Sequence, residues 1–124
     1  MMIMKVKEVM NKDFIKISPN DIGGEVVQTL YKEKKNYAPV IEDGKLVGWI
    51  TALDLLIGCK HSKIEDLMLL IDEIKILKEN DEVTDELIDE IIKNEDIAYP
   101  VINDRDEVVG TLSVFDLLKY YKNR

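Results

Sequence analysis

At 124 residues the chain has room for one compact module, and half of it, roughly 60 residues, would bury only a marginal core alone, so its halves are expected to depend on each other. Hydrophobic residues make up 46% of it, but none of its apolar runs approaches the roughly 18 residues of a membrane span, and residues 1–4, ended by Lys5, are too short for a signal core; the expectation is a cytoplasmic protein without a membrane partner. Residues 1–62 hold nine lysines and eight carboxylates, net +1, whereas residues 63–124 hold eight Lys and Arg and seventeen carboxylates, net −9; that leaves no basic stripe for nucleic acid and makes the first half the better host for a small anion.

In chain order, a short amphipathic segment, Val6 to Met10, precedes an apolar-polar alternation at Phe14 to Ile17 that reads as a strand. Ser18-Pro19-Asn20-Asp21 supplies turn chemistry and a helix N-cap, after which Val26, Val27, Leu30 and Tyr31 recur at helical spacing. Ala38 to Glu42 and Leu46 to Ile50 read as strands joined through the tight-turn pair Asp43-Gly44, and Thr51 opens a helix through Ile57. Cys59 and His61 offer too few ligands for a zinc site, and no metal is expected. The order then returns: Ile64 to Met68 as a second amphipathic lead-in, a strand near Ile74 to Leu77, and a helix with Val83, Leu87, Ile88, Ile91 and Ile92 on one face. Strands at Tyr99 to Asn103 and Val108 to Leu112 and a helix from Ser113 to about Tyr121 complete it.

The two halves share a written motif. Gly48-Trp49-Ile50-Thr51-Ala52-Leu53-Asp54-Leu55-Leu56 returns as Gly110-Thr111-Leu112-Ser113-Val114-Phe115-Asp116-Leu117-Leu118, and each copy follows a Pro-Val-Ile run, Pro39 to Ile41 and Pro100 to Ile102. Such self-similarity marks a duplicated unit. Taken alone, Thr51-x-x-Asp54 and Ser113-x-x-Asp116 are also plain helix capping boxes, with the hydroxyl capping the helix and the acid reaching back. Gly23-Gly24 lacks the Lys-Ser/Thr that would make it a phosphate loop, and reads as a loosened helix start.

With the lead-ins Val6-x-x-Val9-Met10 and Ile64-x-x-Leu67-Met68, with Ile17-Ser18-Pro19, and with both Gly-x-x-Thr/Ser-x-x-Asp motifs in register, the chain resembles the CBS domain, named for cystathionine beta-synthase, over residues 5 to 121. The resemblance implies an α/β fold of tandem CBS repeats, a Bateman module: residues 5–60 and 61–122, each strand-helix-strand-strand-helix, packed with pseudo-two-fold symmetry. It further implies a non-catalytic regulatory module, usually a homodimer, that binds AMP, ADP, ATP or S-adenosylmethionine in the cleft between repeats and signals to a separate effector protein. Carried over, the ribose falls to Asp116 with Ser113 and to Asp54 with Thr51. The resemblance further implies an adenine slot of Phe14, Ile15, Tyr37, Pro39, Ile74, Lys75, Tyr99 and Pro100, with Asp116 expected to face Phe14 and Ile15, and Asp54 to face Ile74 and Lys75; taken one by one, Phe14, Trp49, Tyr37 and Tyr99 read instead as core or interface residues.

The chemistry stands beside the resemblance, because an ionised carboxylate can accept hydrogen bonds from both hydroxyls of a ribose cis-diol. For phosphate the chain departs from the family pattern, which often places His or Arg three residues before the strand proline; here those positions are Asn36 and Ile97. Lys34, Lys35 and Asn36 can serve a phosphate in the first copy, whereas Asn94, Glu95 and Asp96 in the second would repel one. Two equivalent nucleotide sites are therefore not expected. An alternative is an assembly module with degenerate pockets. An enzyme is not expected, since no nucleophile-base constellation is supported.

Overall fold

The computed structural model describes residues 4–123. The elements are α1 (Val6–Val9), α2 (Gly23–Glu33), β1 (Tyr37–Glu42), β2 (Lys45–Thr51), α3 (Ala52–Ile57), β3 (Leu69–Leu70), β4 (Leu77–Lys78), α4 (Asp85–Asn94), β5 (Ala98–Ile102), β6 (Val108–Ser113) and α5 (Val114–Asn123), with 3-10 turns at Ile64–Asp66 and Ile71–Glu73. They form two compact units that do not coincide with the sequence repeats. One is continuous, Phe14–Lys75; the other joins the residues up to Asp13 to those from Ile76 onward.

In the Phe14–Lys75 unit the sheet order is β1-β2-β3, all antiparallel. The β1–β2 turn is built by Asp43 (φ 53°) and Gly44 (φ 80°), consecutive left-handed residues whose twist suits a two-residue hairpin. The core gathers Ile17, Val26, Leu30, Ala38, Val40, Ile50, Leu55 and Ile64. The strand expected at Phe14 to Ile17 reduces to one parallel bridge, Ile17 to Val40, because the following turn bends the chain away: Ser18 N–H donates to Asp21 Oδ2 at 2.8 Å. Asp21 thus closes that turn and does not cap α2. The first N–H groups of α2 find other acceptors, Gly23 donating to the Ser62 carbonyl (2.9 Å) and Gly24 to that of Lys60 (2.8 Å). A glycine pair fits there because the 60–62 backbone lies against it; a Cβ on Gly24 would stand 3.2 Å from the Lys60 oxygen.

In the other unit the order is β4-β5-β6, with β4 parallel to β5 and β5 antiparallel to β6. Its core holds Val6, Leu77, Leu87, Ile91, Tyr99, Val101 and Leu112. Here the strand expected near Ile74 is later and shorter, Leu77–Lys78, since Ile71–Glu73 is a 3-10 turn. Thr84 caps α4, accepting from Leu87 N–H at 3.1 Å. Of the apolar face assigned to that helix, Leu87 and Ile91 are buried, but Ile92 is 68% exposed, one residue too far around the helix to reach the sheet.

Both units repeat one plan, and in each the lead-in comes from the other repeat. Val6, fully buried, fills the core beside β5 and β6, and Ile64, also fully buried, fills the core beside β1 and β2. Asn11 and Thr111 exchange a pair of backbone hydrogen bonds (2.8 and 3.0 Å), and β3 pairs Leu69 and Leu70 with Trp49 and Gly48. The lead-in methionines lie on the motif glycines. A Cβ on Gly110 would stand 2.7 Å from Met10 Sδ and 3.0 Å from the Asn11 carbonyl oxygen; one on Gly48 would strike Met68 Sδ and stand 2.9 Å from the Leu69 oxygen.

Candidate functional site

Each motif occupies a strand-to-helix corner. β2 ends at Thr51, the N-cap of α3, and β6 ends at Ser113, immediately before α5. At the first corner Thr51 N–H and Oγ1–H donate to Asp54 Oδ2 at 3.0 and 2.6 Å, while Asp54 N–H donates to Thr51 Oγ1 at 3.2 Å. At the second, Ser113 N–H and Oγ–H donate to Asp116 Oδ2 at 2.8 and 2.9 Å, and Asp116 N–H donates to Ser113 Oγ at 3.1 Å. Both carboxylates therefore fold back on their own helix ends, as the capping reading requires. In both, Oδ2 does all of this, and among the described residues no hydrogen bond reaches either Oδ1. Two carboxylate oxygens offer about four acceptor directions, so each Asp retains capacity for two hydroxyl donors.

The turn before the first strand of each repeat meets the same corner. Ala52 N–H, at the start of α3, donates to the Asn36 carbonyl at 2.9 Å, and Val114 N–H, at the start of α5, donates to the Ile97 carbonyl at 2.9 Å. Tyr37 pairs with Thr51 and Ala98 with Ser113 across the strands. Lys34, Lys35 and Asn36, all exposed, are thereby brought to the Thr51–Asp54 corner.

The residues assigned to an adenine slot divide by burial. Pro39 and Pro100 are fully buried, and Tyr99 is 4% exposed within its core, so these three pack the interior and offer no open face for a base. Tyr99 also donates its hydroxyl to Asp96 Oδ2 at 2.8 Å; burial foremost, then that bond and the charges of Asp96 and Glu90, pushes its phenol well above the ordinary value near 10. Phe14, Ile15, Tyr37 and Ile74 are half-buried and Lys75 is exposed. Tyr37 stacks on the buried Trp49, ring centroids 5.3 Å apart and planes 11° apart, and Lys16 Nζ sits 5.6 Å from the Phe14 ring centre. Ile74 and Lys75 share a compact unit with Asp54, as do Phe14 and Ile15; Asp116 belongs to the other. Sequence reasoning missed the Asp96–Tyr99 pair, which is signalled only by an acid three residues before a strand tyrosine.

Two stretches, residues 6–59 and 64–123, each match the CBS domain family. The chain is a pair of CBS domains. It is 31% identical over 120 residues to protein MJ1004 of Methanocaldococcus jannaschii, covering 94% of this chain and 56% of that one, and the crystal structure of MJ1004 superposes with a TM-score of 0.84 at 28% identity. It is 30% identical over 122 residues to the inosine-5'-monophosphate dehydrogenase of the same organism, covering 97% of this chain and 24% of that enzyme. The chain thus spans about half of one relative and a quarter of the other. The CBS domain pair of protein MJ0100, solved in complex with 5'-methylthioadenosine and S-adenosyl-L-methionine, matches 98% of both chains at 28% identity with a TM-score of 0.80. Among the described residues no helix of this CBS pair is long and apolar enough to cross a membrane.

Proposed function

We propose that this CBS pair is a non-catalytic sensor of an adenosine-containing ligand, with Asp54 and Asp116 as the ribose-holding carboxylates and Thr51 and Ser113 as the hydroxyls that orient them. The observation that carries the proposal is the division of labour within each carboxylate: Oδ2 is fixed by three-residue capping geometry while Oδ1 is left to accept hydroxyls. Capping so read is the positioning device for the ligand oxygen, because both hydrogen bonds to Oδ2 lock the side chain at no cost to Oδ1. The adenosine compounds bound by the MJ0100 pair, which this chain matches along its whole length, support the ligand class. Tyr37 and the half-buried Phe14, Ile15 and Ile74 are the remaining candidates for contact with the base, and Lys34, Lys35 and Asn36 for a phosphate.

The module works as a homodimer that passes ligand occupancy to an effector protein. Supporting an association surface, α3 exposes Leu53, Leu56 and Ile57, and α5 exposes Phe115, Leu118 and Tyr121. For a signal to pass, the ligand must bind one state of the assembly better than another.

A thermal-shift panel of AMP, ATP, 5'-methylthioadenosine and S-adenosylmethionine tests the ligand class. A ligand at 100 times its dissociation constant should stabilise by about 2.7 kcal/mol, and Asp54→Ala with Asp116→Ala should abolish the shift. No shift with any of the four leaves the assembly module, with both carboxylates serving only as caps.

A further inference from the structure

The two helix corners are built alike but carry opposite charge. Lys34 and Glu95 occupy one backbone position, each the left-handed C-cap of the preceding helix (φ 55° and 53°). Asn36 and Ile97 occupy another, each carbonyl accepting the first N–H of the site helix at 2.9 Å. The intervening residue is Lys35 in one repeat and Asp96 in the other. So Lys-Lys-Asn borders Asp54 where Glu-Asp-Ile borders Asp116. Moreover, Asp96 is not a loose surface charge: the buried Tyr99 hydroxyl holds it at 2.8 Å.

From this reversal, and resting on the adenosine-sensor reading above, we infer that the repeats sort ligands by charge: the Asp54 corner selects a phosphate-bearing adenosine nucleotide, and the Asp116 corner selects an uncharged or cationic adenosine compound and rejects phosphate. Lys34 and Lys35 supply the positive potential at the first corner. Asp116, Glu95 and the tyrosine-anchored Asp96 supply a negative one at the second, which a phosphate would have to approach against like charge, whereas a sulfonium or ammonium group would be drawn to it. Two chemically different metabolites can then be read by one chain, with no competition between them.

Calorimetric titration of the ligand-free full chain with AMP, and separately with 5'-methylthioadenosine, decides the matter. Lys34→Glu with Lys35→Glu should weaken AMP binding about ten- to a hundredfold, most strongly at low salt, and change 5'-methylthioadenosine binding less than about threefold. Glutamate at position 34 is a tolerated choice, since Glu95 takes the same φ in the second repeat. Asp54→Ala should remove AMP binding and Asp116→Ala that of 5'-methylthioadenosine, and Asp96→Asn, which keeps an acceptor for Tyr99, should let AMP into the second corner. Equal responses of the two ligands to the Lys34 and Lys35 changes, or loss of AMP binding with Asp116→Ala alone, would overturn charge sorting while leaving adenosine sensing intact. Failure of both ligands to bind the wild-type chain overturns both.

Discussion

Gly110→Ala tests whether each lead-in truly completes the other repeat. A Cβ there would stand 2.7 Å from Met10 Sδ, 3.0 Å from Met10 Cγ and 3.0 Å from the Asn11 carbonyl oxygen, all inside normal van der Waals separation. Met10 can swing aside, but Asn11 is held by two backbone hydrogen bonds to Thr111 and cannot retreat without breaking them. Overpacking of this kind costs about 1–3 kcal/mol, which for a chain of this size is a fall in melting temperature of roughly 4–12 °C. The assay is a double-mutant cycle by urea and thermal denaturation. Met10→Ala alone should cost about 1–3 kcal/mol for lost packing, and combined with Gly110→Ala it should cost at least 0.5 kcal/mol less than the sum, because the alanine methyl then occupies space the sulfur has left. Met10→Ala combined with Gly48→Ala should simply add, since Gly48 meets Met68. Additivity of the Met10 and Gly110 changes together with coupling of Met10 to Gly48 would refute the reciprocal placement of the lead-ins.

Three further outcomes rest on named side chains. Tyr99 has a phenol pKa raised on folding, so its contribution to stability is complete below the unfolded value near 10 and is lost as pH climbs through the alkaline range beyond it; Tyr99→Phe should flatten that alkaline loss in pH-dependent melting, and an unchanged profile would contradict the burial of the phenol and its bond to Asp96. Thr84→Ala removes the acceptor for Leu87 N–H and should cost about 0.5–2 kcal/mol in urea denaturation, with Thr84→Ser close to neutral. For the homodimer proposed above, Leu56→Glu with Leu118→Glu, both changes at exposed helix positions, should shift the sedimentation coefficient from dimer to monomer with little effect on the melting temperature, whereas a dimer that survives would place the association surface elsewhere.

The repeat, the order of elements and both capping corners are legible in the sequence because they are local. Gly-x-x-Thr/Ser-x-x-Asp puts a hydroxyl and a carboxylate one helical turn apart, and three residues of chain suffice to close the box. Asp43-Gly44 dictated its own turn for the same reason, as two consecutive left-handed residues leave the backbone few alternatives. Even the charge contrast between Lys34-Lys35 and Glu95-Asp96 is plain in the letters. Tertiary structure alone decided where those letters stand. Their equivalence can be read from their distance to the strand prolines, but it is the backbone bonds from Ala52 to Asn36 and from Val114 to Ile97 that set the two charge sets beside the Asp54 and Asp116 corners, and no pattern within a single segment encodes those bonds. Burial withdrew Pro39, Pro100 and Tyr99 from the base and gave Tyr99 an anchoring role at Asp96 instead. Most of all, Val6 and Ile64 are each written at the head of one repeat and spent in the core of the other: Ile64 follows α3 within the continuous Phe14–Lys75 unit, whereas Val6 fills a core whose other residues begin only at Leu77, so that slot is closed by a segment distant in sequence. Periodicity can say that such a residue must be buried; the partner that buries it is chosen by the long-range packing of the folded chain.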